Sequence, residues 1–147
     1  MKVESLRSPS AKTGGLVHFP RMLDKIRQHA AGKLPPEYHP NLGGGFDERC
    51  VHFLGIEYSA LIKRVNEGGT DDEILQWAFA TGRRPNDEEI EIWNEFMRKR
   101  GWNDEATARL QSRLMESGFG NRTDIQTFFD YIDLDEGREP TRRTASG

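Results

Sequence analysis

The sequence predicts an all-α protein: a compact single domain of six or seven short helices, with an irregular N-terminal segment and a disordered C-terminal tail. Three observations predict it. Apolar residues recur at three- and four-residue spacing in seven segments. Most of these segments stop at a glycine, which closes a helix in the left-handed conformation without a side-chain clash. Thr and Val are sparse and strict apolar alternation is absent, which argues against strands. Leu, Ile, Val and Phe make up 31 of 147 residues, just above the roughly 20% below which chains tend to disorder, so the expected core is small. The domain is expected over residues 1–137 and the polar tail over 138–147.

The first helix is expected from Pro20 to Ala31, with Met22, Leu23, Ile26 and Ala30 inward and Gly32 as its stop. The second spans Phe46 to Leu54, with Cys50, Phe53 and Leu54 inward. The third carries Tyr58, Leu61, Ile62 and Val65 and ends at Gly68-Gly69. The fourth opens on a capping box, Thr70 with Glu73, and presents Ile74, Leu75, Ala78 and Phe79. The fifth follows the N-cap Asn86. It carries Asp87, Glu88 and Glu89 at its start and Arg98-Lys99-Arg100 at its end, both signs complementing the helix dipole. The sixth follows Asn103 or Asp104 and places Ala106, Leu110 and Leu114 on one face. The seventh is expected to start at a Thr123–Gln126 capping box, with Ile125, Phe128, Phe129 and Ile132 inward. Residues 1–19 and 32–45, rich in Gly and Pro, read as irregular.

Composition excludes several classes. The formal net charge is −3, so no nucleic-acid partner is expected. One cysteine, Cys50, permits no internal disulfide, and no apolar run approaches the ~18 residues that span a bilayer. The start of the chain does not read as a secretory signal, and the expected location is the cytoplasm. Charge is uneven: residues 1–68 hold 10 Lys/Arg against 7 Asp/Glu, and residues 69–137 hold 8 against 16. This polarity reads either as attraction within the fold or as a basic face for an anion.

The candidate site is the start of the first helix. Arg21 falls in the first turn, where the dipole disfavours a cation, and free amides there with an arginine suit an anion. Arg7, Ser8, Lys12 and His18 lie in the flanking segment. Arg7, His18, Arg21 and Lys25 are the anion-binding candidates. The competing reading pairs Arg21 with Asp24 or with a carboxylate of the acidic half. Gly43-Gly44-Gly45 is no phosphate loop, because Phe46-Asp47 stand where Lys and Ser/Thr belong and Asp47 and Glu48 would repel phosphate. No metal site and no cofactor are expected. Cys50 and His52 point to different helix faces, His18, His29 and His39 have no ligand-like spacing, and Asp133–Gly137 departs from a calcium loop. No nucleophile elbow or other catalytic residue is identified, and Cys50 reads as a buried, inert thiol. Trp77, Trp93 and Trp102 read as core aromatics, with a partner anchor as the alternative.

Leu6-Arg7-Ser8-Pro9, Gly14-Gly15, Pro20-Arg21-Met22-Leu23-Asp24-Lys25, Gly45-Phe46-Asp47 and Ile92-Trp93-Asn94, in this order and spacing, resemble a small bacterial family catalogued only as a domain of unknown function. The resemblance covers most of residues 5–137. It implies a bacterial, soluble origin, no transferable activity, and relatives with tryptophan where Cys50 stands. Capped helices without a catalytic constellation point first to a non-enzymatic cytoplasmic module that binds another protein. The alternative is a small protein or enzyme handling a phosphate- or carboxylate-bearing molecule. In it Arg21 clamps the anion and His18 acts as acid or base, where residues 7–25 meet the loop 32–45.

Overall fold

A computed structural model gives the fold for residues 6–139. In order, the elements are β1 (Lys12–Thr13), β2 (Leu16–Val17), α1 (Phe19–Ala30), a 3-10 helix (Pro36–Asn41), α2 (Phe46–Leu54), α3 (Tyr58–Asn66), α4 (Asp71–Thr81), α5 (Asp87–Lys99), α6 (Thr107–Glu116) and α7 (Phe128–Asp135). The class is helical, as the 3.6-residue periodicity predicts. Contacts divide the described residues into two compact units, 6–94 and 95–139, with the division inside α5. The expected tail falls mostly on residues 140–147, which lie outside the described residues. Arg138, its first residue, is tied through Nη1 to Asp133 at 3.1 Å and Glu136 at 2.8 Å.

In the unit 6–94, α1 packs on α3 and β1, and α4 packs on α3 and β1. Leu16, Val17, Phe19, Met22, Leu23, Leu54, Leu61, Ile74, Leu75 and Ala78 are buried between them. The hairpin β1–β2 corrects the expectation of no strands. Gly14 and Gly15, at φ 56° and 82°, supply the two left-handed residues of a two-residue turn, with Thr13 paired to Leu16. Strands this short leave no alternation for periodicity to detect. Trp93 and Asn94 clamp the hairpin. The indole Nε1 donates to the Val17 carbonyl at 3.2 Å, and Asn94 accepts from Val17 N at 3.1 Å and donates to the Gly15 carbonyl at 2.7 Å.

The caps of this unit follow the sequence. Thr70 and Glu73 exchange side-chain to backbone bonds at 3.1 and 2.9 Å, and Asn86 and Glu89 repeat the device at 2.8 and 2.9 Å. Ile62 is the exception on α3: it faces water rather than the core. Phe53 is half-buried and stacks on Trp93, ring centroids 4.8 Å apart.

In the unit 95–139, α6 packs on α7, and Ala106, Leu110, Leu114, Ile125, Phe128 and Phe129 are buried. Asp104 caps the approach to α6, accepting from Gly101 N and Ala106 N at 2.9 and 2.8 Å. α7 starts later than the expected Thr123. Arg122 grips both carboxylate oxygens of Asp124 at 2.8 and 2.9 Å, which holds 122–124 in a turn. Thr127 becomes the N-cap, accepting from Asp130 N at 3.2 Å. Ile125 therefore reaches the core from a loop.

Candidate functional site

The site grows from Asp47, in the first turn of α2. The α2 stripe is Asp47, Cys50, Val51 and Leu54, so the carboxylate points inward and is fully buried. A buried carboxylate persists only when paired and hydrogen-bonded. His18 Nε2 meets Oδ1 at 2.7 Å, Lys25 Nζ meets Oδ2 at 2.8 Å, and the Gly43 amide donates to Oδ2 at 3.2 Å. Burial pushes the Asp47 pKa up. The His18 hydrogen bond and the Lys25 charge outweigh that and bring it down to about 2. Gly43 sits at φ 75° against the Tyr58 ring, where a Cβ would lie 2.8 Å from Cδ2. Only glycine brings this amide to the carboxylate without displacing the ring.

His18 joins β2 to α1 as the α1 N-cap. Its φ of 73° is left-handed and its ring is buried. Among the described residues the one other non-glycine residue with positive φ is Asn103. The backbone is fixed at both ends: the amide donates to the Pro9 carbonyl at 2.9 Å, and the carbonyl accepts from Met22 N at 3.0 Å. The ring meets Phe46 edge-on, centroids 5.8 Å apart. Burial holds the imidazole pKa below its ordinary value. The attraction of Asp47 does not offset it, and Lys25 and Arg21 lower it further. The ring is therefore neutral at pH 7. The ionised carboxylate can only accept, so the single ring proton sits on Nε2 and Nδ1 carries a lone pair. Nδ1 is buried with no hydrogen-bond partner among the described residues.

Arg21 and Lys25 follow His18 at spacings of three and seven, on one face of α1, and both are buried. Arg21 Nη1 donates to the Arg7 carbonyl at 3.1 Å. The Arg7 side chain turns elsewhere. Its Nε and Nη2 grip Asp24 at 2.9 and 2.8 Å, and Nη2 reaches Asp71 at 2.8 Å. Arg27 Nη1 takes the other Asp71 oxygen at 2.8 Å. Thus His18 and Lys25 converge on Asp47, with Arg21 in their field. Arg7 belongs to a half-exposed network whose carboxylates occupy it. Ser8 accepts from Ser10 N at 3.1 Å, and Lys12 is exposed. Gly43, in the loop 32–45, reaches the same Asp47 carboxylate that His18 and Lys25 hold.

A family described as a domain of unknown function, DUF5069, matches residues 3–138. The chain belongs to this family. No curated protein matches it.

In this DUF5069 protein the sequence reading missed Asp47 as a site residue, taking it only as a first-turn acid that would repel phosphate. Its signal was present: Asp47 lies three residues before Cys50 and seven before Leu54, on the inward stripe. Cys50 is buried, and burial first, then the charge of Asp47, pushes its thiol pKa well up, which makes it a poor nucleophile. His52 is exposed, on a different face from Cys50. No helix among the described residues is long and apolar enough to cross a membrane.

Proposed function

We propose that the protein binds a small phosphate- or carboxylate-bearing molecule beside His18, whose Nδ1 accepts a hydrogen bond from it. The observation that carries this reading is the buried, unpartnered Nδ1. A buried polar atom without a partner costs about 1–3 kcal/mol. A left-handed non-glycine backbone costs a further ~1–3 kcal/mol. Both fall on one residue, within a buried ion cluster that is itself weak support for stability. Such concentrations of cost are a mark of functional sites. Arg21 adds positive charge beside the Lys25–Asp47 pair, and at pH 7 the neutral ring offers the Nδ1 lone pair to a donor on the ligand. The expected setting is the cytoplasm.

The sequence ranks a protein-interaction module first, and that remains the second reading. Trp102 and Met115, 54% and 72% exposed, favour it as partner anchors. A thermal-shift series with phosphate, sulfate and small carboxylates separates the two. A ligand at 100 times its Kd adds about 2.7 kcal/mol, roughly 5–10 °C for a chain of this size. The site reading expects such a rise in the native protein and its loss in His18→Asn, which tolerates positive φ. No rise with any anion, together with a stable complex captured through Trp102, supports the module instead.

A further inference from the structure

His29 and His39 are ten residues apart and show no ligand spacing in the sequence, yet the fold brings them together. His29 lies in the last turn of α1 and His39 in the 3-10 helix Pro36–Asn41. Both are exposed, with ring centroids 4.9 Å apart and planes at 77°. His39 Nε2 lies 3.0 Å from the Leu34 carbonyl. A carbonyl can only accept, so Nε2 carries the proton and Nδ1 is left as a lone pair. This is the arrangement that prepares a histidine for a metal: one nitrogen donates to a backbone carbonyl, which fixes the tautomer and the ring orientation. His29 commits neither ring nitrogen to a hydrogen bond among the described residues.

The separation fits a shared ion. A nitrogen at about 2.0–2.1 Å from a metal puts its ring centroid about 3.2 Å away, so two imidazoles at right to tetrahedral angles stand about 4.5–5.2 Å apart. We infer that His29 and His39 form a solvent-facing two-histidine site for a divalent first-row transition ion. Imidazole nitrogen suits zinc, nickel and copper. No group of three or more His, Cys, Asp or Glu among the described residues is arranged around a metal, so water fills the remaining positions. The site shares no residue with the His18–Asp47 pair.

The test is a calorimetric titration of the full chain with Ni2+ alone, and with Zn2+ alone, at neutral pH. One ion per chain is expected. His29→Ala and His39→Gln should each weaken binding by at least about tenfold. Neither substitution removes a buried side chain, and a melting curve for each variant checks that the fold is kept. His52→Ala, at an exposed histidine elsewhere, should leave binding unchanged. Absence of saturable heat at millimolar ion overturns the inference. So does binding that survives either substitution, because a lone histidine then holds the ion.

Discussion

Two charged networks share helix α1 and differ in how far water reaches them. Asp47, His18 and Lys25 are buried. Arg7, Asp24, Arg27 and Asp71 likewise join cations to carboxylates, but in a partly exposed lattice, with the Arg7 side chain 45% exposed. The open network resembles ordinary surface pairing, where water screens each contact and the net gain is about 0–1 kcal/mol. The closed one is all-or-none: complete, it roughly balances its desolvation; broken, it leaves a bare charge in the interior. Only the closed one contains an orphaned polar atom and a strained backbone. That contrast is what supports the proposed role of His18, and it leaves Arg7 as a member of a surface ion-pair network.

The largest expected effect breaks the closed network. Asp47→Ala strands the Lys25 ammonium and should cost about 3–5 kcal/mol in urea denaturation. A cost near that of Asp71→Ala, expected at about 0.5–1 kcal/mol, would erase the distinction between the networks.

The fold was more legible in the sequence than the site. The bounds of α2 and the capping box at Thr70–Glu73 follow from local chemistry, because caps and stripes are written within a few residues. The α7 start at Phe128 was not legible, since the Arg122–Asp124 pair competes with the Thr123 cap and no propensity argument weighs the two. The hairpin was hidden in two-residue strands, although Gly14-Gly15 marked its turn. At the site, His18, Arg21 and Lys25 emerged from an argument about the helix N-terminus. Asp47 did not, because its partner lies 29 positions away and only folding reveals which carboxylate a buried histidine meets.

The pH dependence sharpens the comparison at intermediate scale. The folded-state pKa of His18 lies below that of the unfolded chain, about 6.5. As pH falls below that value the unfolded chain gains a proton that the folded ring refuses. Stability should therefore fall as pH drops below about 6.5, by at most about 1.4 kcal/mol per pH unit from this residue, with Asp47, Lys25 and Arg21 setting its field. His18→Asn should flatten that slope by one proton. Asp47 acts in a lower window: its stabilisation, present above about pH 4, fades as pH falls toward about 2.

The smallest expected effect lies in the open network. Arg7→Ala should cost about 1 kcal/mol or less, and the cost should shrink further in high salt because water already screens the pair. A large, salt-insensitive loss would move Arg7 into the same class as Lys25.

The central claim is a neutral His18 with its proton on Nε2 and a bare lone pair on Nδ1. Nitrogen NMR of histidine-labelled protein, followed from pH 8 to pH 4, tests it most directly. The expected spectrum at pH 7 shows a protonated Nε2 and an unprotonated Nδ1 for one histidine, assigned by its loss in His18→Asn. That ring should protonate at lower pH than an ordinary histidine. A proton on Nδ1, or an imidazolium at pH 7, would contradict the account.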